Sequence, residues 1–371
     1  MSTLDLEIQL LAVVVATACA LPGVFLVLRR MALLSDAISH SILLGIVLAF
    51  FWVRDLTSPL LLVAAALTGL LTVALVEGLL RTGRVREDAS IALVFPALFS
   101  IAVLLIARYA GTVHLDLDMV LLGELAFAPF HRLEVGGVDL GPKGLWVMGT
   151  ILLANVVFIG LFYKELKLTT FDPALAGALG FSPVLMHYAF TSLVSLTAVG
   201  AFDAVGSILV VALMIAPPAT AYLLTDRLSV LLVLSGFIGA GSAVTGYWMA
   251  TVLDASIAGS MATACGGAFA AAFVLAPRRG LLAARRMRAR QRWEFRELML
   301  LIHLLQHEGT ADAETECREE HLVEHLKWNA KLAGRVIRDA GGKELLELRG
   351  DGHLLLTQRG RKMARSALEG T

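Results

Sequence analysis

The chain has 371 residues, 57% of them hydrophobic and 17% charged, with a mean hydropathy of +0.77. That balance excludes a water-soluble globular protein and indicates a chain that crosses a bilayer many times. The formal net charge of zero is unevenly spread, with 19 Lys+Arg against 14 Asp+Glu from Arg278 onward and 12 against 17 before it, so a membrane part followed by a separate basic unit is expected.

Apolar runs fall at about 8–28, 31–53, 59–80, 89–110, 143–163, 184–202, 206–224, 229–250 and 256–276, each near the length of a spanning helix. The first follows Asp5 and Glu7 rather than a basic segment, which marks a retained span and not a cleaved signal. Arg29–Arg30, Arg81/Arg84/Arg86, Lys164/Lys167, Arg227 and Arg278–Arg279 all fall on one side if the N-terminus is outside. The positive-inside rule then makes this a multi-pass protein of the cell (inner) membrane with a cytoplasmic C-terminal domain.

Within the second run, SDAISH places Asp36 and His40 four residues apart, on one helix face with Ser39 alongside. Ionisable groups at such depth face a bundle interior or a water-filled path, and a carboxylate with an imidazole suits a divalent transition metal. The other open reading is that the two only pair with each other, or cap a helix near the interface.

The connection at about 111–142 holds Asp116, Asp118, Glu124, Glu134 and Asp139. They either attract a cation or a delivery protein or belong to a solvated linker, and Glu124, inside MVLLGELAF, stands out as partly buried. At 164–183 the sequence predicts a short surface helix, started by the capping Asp172 and first-turn Pro173 and stopped at Gly180. It is either a simple connection or a piece that fits a cleft on a motor subunit. Pro217–Pro218 in the seventh run predicts a kink. Cys19, Cys265 and Cys317 form no CxxC pair.

Four blocks, SDAISH, HLDLDMVLLGELAF, KELKLTTFDPALAGALGF and FDAVGSILVVALMIAPPATAYLLTDRL, closely resemble the permease subunits of ABC-type zinc, manganese and iron importers. The similarity spans residues 1–280, and the LLGELAF region looks more like the manganese/iron branch. The resemblance implies that Asp36 and His40 are metal-path residues. It also implies that the helix from Asp172 to Gly180, with Phe171, Pro173, Ala174, Leu175 and Gly177, is the coupling helix docked on an ATPase. No GxxxxGK[ST] phosphate loop occurs in the chain, so ATP belongs to a partner subunit and this chain is non-catalytic. The implied partners are that ATPase, an extracytoplasmic metal-binding protein, and a paralogous permease or a second copy. The implied cargo is Mn(II), Fe(II) or Zn(II), with manganese or iron favoured and no permanently bound cofactor.

After a basic linker at 281–293, the pattern predicts an amphipathic helix in FRELMLLIHLLQHEG and one or two more in HLVEHLKWNAKLAGRVIRDAG. A hairpin turned at Gly350–Asp351–Gly352 and a last helix complete an α+β winged-helix domain at 294–371, beside an all-α membrane part of about nine spans. HLLLTQRGRKMARSAL is similar to the wing and following helix of the diphtheria-toxin-repressor-like, metal-dependent regulators. That likeness, over about 294–368, implies a DNA-contacting helix with Lys327, Lys331, Arg335 and Arg338, and Arg349 on the wing. The same charges equally suit a solvated helix near an anionic membrane face. His303/His307 and His321/His325 are two i,i+4 pairs, with Cys317, Glu320 and Glu324 nearby, and read either as a metal sensor or as the chance content of amphipathic helices.

The function expected is therefore the permease of an ATP-driven divalent-metal importer with a regulatory tail. The rival classes are a membrane-anchored metal-responsive transcription regulator and an ion-coupled secondary transporter.

Overall fold

The computed structural model describes residues 3–54, 58–109, 125–135, 138–310 and 312–369. The chain divides into two units, Met1–Gly280 and Leu281–Thr371.

The first unit holds α1 (Thr3–Leu28), α2 (Ala32–Val53), α3 (Pro59–Arg81), α4 (Glu87–Tyr109), α5 (Lys143–Leu161), α6 (Tyr163–Phe171), α7 (Pro173–Ala178), α8 (Pro183–Val205), α9 (Ser207–Leu224), α10 (Leu228–Leu253) and α11 (Ile257–Leu275). Among the described residues, nine of these helices, all but α6 and α7, are long and apolar enough to cross a membrane. A recurrent local grammar starts three helices of this unit. Ser58, Asp172 and Ser182 each cap a helix through a side-chain oxygen, and each is followed by a proline at the first helical position. Proline is well suited there because its missing N–H has no intrahelical partner to lose.

α1 is the central post. Leu11, Val15, Ala16, Cys19 and Phe25 have no exposed surface, and the helix packs on α5, α8, α9 and α10. Pro22 sits inside it and cannot donate to the carbonyl of Ala18 four residues back. The buried side chain of Asn155 from α5 supplies the missing donor, Nδ2 to Ala18 O at 2.9 Å, and also bonds Thr197 Oγ1 of α8 at 3.1 Å. Pro217 and Pro218 do not interrupt α9, which runs on through both. The carbonyl of Met214, freed by Pro218, lies against Gly23 of α1, where any Cβ would collide with it. A second apolar cluster, with Ala37, Val47, Val76, Ile91, Val94 and Ala102, joins α2, α3 and α4.

Between α4 and α5 the sequence suggested an irregular connection. Part of it is instead a 3-10 turn, Leu125–Phe130, and an antiparallel hairpin, β1 (Arg132–Val135) with β2 (Val138–Pro142). Four and five residues per strand leave too short an alternation to read in advance. Arg132 pairs with Glu7 at 3.2 Å and with Asp139, tying the hairpin to the start of α1. Asp116, Asp118 and Glu124 lie outside the described residues.

The second unit comprises α12 (Leu281–His307), α13 (Ala313–Glu316), α14 (Glu319–His325), α15 (Ala330–Gly342), β3 (Leu346–Leu348), β4 (Leu354–Leu356) and α16 (Gln358–Glu369). The basic stretch 281–293, read from the sequence as a linker, forms the first turns of α12; its Leu, Ala, Arg and Gln are all good helix formers. β3 and β4 pair antiparallel, Leu346 with Leu356, around a turn in which Gly352 takes φ +82°. A further bridge, Arg318 with His353, adds the α13–α14 junction to this hairpin. Leu300, Leu304, Leu322, Val336, Leu346, Leu354 and Ala364 form a core of its own. Beneath it Lys343 pairs with the buried Glu297 at 2.8 Å and with Asp339 at 3.0 Å, while Trp293 Nε1 donates to Asp339 at 2.6 Å.

Candidate functional site

α2 begins at Ala32, so Asp36 lies in its second turn and His40 in its third. Ser35, Ser39 and Ser41 return their hydroxyls to helix carbonyls at 2.9, 2.9 and 3.1 Å, which satisfies them locally. Asp36 and His40 do otherwise. Their Oδ1 and Nε2 stand 3.4 Å apart, with side chains 37% and 28% exposed in the single chain. The His40 ring rests between Phe95 and Phe99 of α4, at 5.9 and 6.1 Å. The two side chains thus form a carboxylate–imidazole contact on an open, aromatic-backed face.

A second polar cluster escaped the sequence reading. Glu77 of α3 lies 3.2 Å from His187 Nε2 and 3.6 Å from Arg81, and accepts a hydrogen bond from the Tyr188 hydroxyl. The signal was available, since Glu77 is a carboxylate in an apolar run, but His187 and Tyr188 come from a helix more than a hundred residues away. Arg29, just beyond α1, donates to Thr170 Oγ1 at 3.1 Å and Thr169 Oγ1 at 3.3 Å and stacks its guanidinium 4.9 Å from the Phe190 ring centroid. Burial pushes its pKa down to about 10, so it is still charged at neutral pH. It thereby clamps α6 to the bundle.

That clamp supports the short α7. Asp172 Oδ1 accepts from Leu175 N at 2.9 Å, Pro173 opens the helix, and Gly180 ends it with φ +88°, as the sequence indicated. The helix Tyr163–Phe171 in front of it was not foreseen. Around α7, Ala174 and Gly177 are exposed and only Ala176 is buried, while Phe171, Leu175, Leu179 and Phe181 are 62%, 46%, 61% and 41% exposed. These large apolar side chains form an exposed cluster around the helix.

In the second unit, His303, His307, His321 and His325 converge, and Glu316 joins them. Sequence reasoning named Cys317 in its place. Cys317 is instead buried in the core with its thiol pushed up chiefly by burial, because the turn that aims Glu316 at the histidines aims its neighbour inward. Burial, the largest effect, with His307 and His325 adding to it, holds His303 below the usual imidazole range. The side chains of Glu320 and Glu324 lie outside the described residues. Lys331, Arg335 and Arg338 are exposed along α15 and Arg349 on the hairpin, but Lys327 precedes the helix, in a left-handed turn with φ +53°.

Among the described residues, nine helices long and apolar enough to span, a carboxylate–imidazole pair on the open face of α2 and an exposed short helix on a clamped support together fit the membrane subunit of a transporter. Residues 6–276 match the ABC 3 transport family, and the chain belongs to it. It is 45% identical over 366 residues, 99% of each chain, to the zinc transport system membrane protein TroD of Treponema pallidum (strain Nichols). It is 49% identical over 270 residues to the manganese transport system membrane protein MntD of Bacillus subtilis (strain 168), covering 73% of this chain and 91% of that one. The structure of PsaBC from Streptococcus pneumoniae in complex with Fab is similar with a TM-score of 0.64 and 26% identity, over 77% of this chain and 96% of that one. The chain is thus the non-catalytic permease subunit of a zinc-, manganese- or iron-type ABC importer. The match to TroD includes the second unit.

Proposed function

We propose that this permease passes a divalent metal of the manganese–iron–zinc group inward through a path lined by Asp36 and His40, paired with a second permease across the open α2–α4 face. The 3.4 Å separation of the two ligand atoms is the observation that carries the reading. A carboxylate and an imidazole replace part of the ion's water shell during passage. Two ligands per chain bind more weakly than a closed cage and so permit release.

The α7 helix is the coupling helix. Closure of a separate ATPase dimer pushes on Phe171, Leu175 and their neighbours, and the support of α6, held by Arg29, passes that motion to the spans. In this reading α7 and the second unit lie on the cytoplasmic side, which the positive-inside distribution of the basic segments supports. We read the second unit as a winged helix: α12, α14 and α15 stand as its three helices, β3 and β4 as its wing, and the Arg318–His353 bridge as the short third strand. Its role is regulation of transport, with DNA contact through Lys331, Arg335 and Arg338 the alternative. A purely sensory membrane protein would have no use for an exposed coupling helix, which disfavours the anchored-regulator reading.

The test is ATP-dependent uptake of manganese, iron and zinc into proteoliposomes holding this chain with its ATPase, partner permease and binding protein, against a chain ending at Arg279. Uptake that survives truncation supports the permease reading and leaves the tail as regulation. Absence of uptake of every metal in a folded complex overturns it.

A further inference from the structure

Two pairs of histidines from different helices meet around one carboxylate. His303 and His307 stand on the last turns of α12 with rings 4.7 Å apart, and His321 and His325 on α14 at 5.7 Å. His325 closes the gap, 5.2 Å from the His303 ring and 6.3 Å from that of His307. Glu316 sits at the centre. Its Oε2 lies 3.0 Å from His321 Nε2, 3.7 Å from His325 Nδ1 and 3.8 Å from His303 Nε2. The ligand atoms of His303, His307 and Glu316 fall within 4.8 Å of one another, as do those of Glu316, His321 and His325.

A second observation points to a ligand. Glu316 Oε2 and His321 Nε2 are both buried and lie 3.0 Å from each other, yet neither makes a well-aligned hydrogen bond among the described residues. A buried carboxylate oxygen held only by ion-pair contacts to imidazole nitrogens, the nearest at 3.0 Å, is one that a bound cation would satisfy more fully. Ligands bound to one zinc ion at about 2.0–2.1 Å stand roughly 3.3 Å apart, so small side-chain rotations complete a shell.

We propose that His303, His307, Glu316, His321 and His325 form a regulatory site for a transition metal that prefers imidazole, of the zinc class, distinct from the Asp36–His40 pair. Four imidazoles to one carboxylate favour zinc over manganese, which prefers oxygen ligands. The site is wired to the hairpin. Glu316 adjoins Cys317, whose carbonyl accepts from Leu354 N at 2.9 Å, Glu319 N donates to Gly352 O at 3.3 Å, and His353 Nε2 meets Ala313 O at 3.1 Å. Metal binding therefore fixes α14 against α12 and stiffens the turn on which β3 and β4 rest. Its role as a sensor of imported metal rests on the importer reading; the site itself does not.

The experiment is Co(II) and Zn(II) titration of the full-length chain in detergent, in an Asp36→Ala/His40→Ala background that silences the path. The readouts are cobalt ligand-field absorption, bound metal by mass spectrometry, and hydrogen exchange of 313–325 and 346–356. A single site is expected, with exchange slowed in both segments, Mn(II) weaker by about tenfold or more, and binding lost in His307→Ala/His325→Ala. Hydrogen-exchange protection of α15 and α16 in that variant shows the unit still folded. No zinc bound in the background chain, or binding untouched by His307→Ala/His325→Ala, overturns the site. Zinc bound here by a chain whose assembled complex takes up no metal overturns the importer reading instead.

Discussion

The side-chain N–H of Asn155 reaches 2.9 Å across the bundle to the backbone carbonyl of Ala18. Pro22 denies that carbonyl its helical donor, and at depth in a bilayer there is no water to replace it. Asn155→Ala should lower the stability of the membrane unit by about 1 kcal/mol. Pro22→Ala in the same chain should recover most of the loss, because residue 22 would then donate to Ala18 itself. Thermal unfolding in detergent measures both, and independent, additive effects would contradict the link.

Gly23 faces the carbonyl of Met214 on α9, and Gly23→Ala sets a methyl group against that backbone oxygen. Neither partner is a flexible side chain, so α1 and α9 must move apart, at a cost of about 1–3 kcal/mol. The expected outcome is a clear drop in melting temperature with membrane insertion retained; an unchanged melting temperature would show that the helices are less tightly apposed.

Asp172→Ala removes the cap of α7, worth about 1 kcal/mol to the helix, and Leu175→Asp puts charge on its exposed apolar side. Both should leave the permease folded and reduce its coupling to the ATPase, seen as hydrolysis that no longer responds to metal and binding protein. Fully coupled hydrolysis in both variants would place the motor contact elsewhere.

In the second unit the Trp293 N–H, and after it Lys343, hold the Asp339 carboxyl below the usual carboxylate range. A depressed pKa contributes stability that is present above the unfolded value near 3.9 and is lost as pH falls through the folded value. Trp293→Phe should therefore weaken hydrogen-exchange protection of α15 at neutral pH, and the difference from the native chain should shrink once Asp339 is protonated in acid. A difference that persisted unchanged in acid would assign the effect to packing alone.

Legibility in the sequence followed the range of the interactions. The spans, the Asp172–Pro173–Gly180 helix and the Gly350–Asp351–Gly352 hairpin rest on local signals of hydropathy, capping and turn chemistry, and all three stand in the structure close to their expected bounds. Asp36 and His40 were visible because four residues make one helical turn. Glu77 with His187, Asn155 with Ala18, and Glu316 with two histidine pairs were not, because each partnership is made by packing between distant segments. Cys317 was named for its place near the histidine pairs, when one residue's rotation in a turn decided that Glu316 met the histidines instead.

The central claim is that Asp36 and His40 are ligands on the route. Its most direct test is metal uptake beside ATP hydrolysis in the reconstituted complex, with Asp36→Ala and His40→Ala made singly. The account predicts uptake reduced to background in each variant, with the protein folded in the membrane and still hydrolysing ATP with its partner. Uptake at the native rate in either variant would contradict it and reduce the pair to a structural contact.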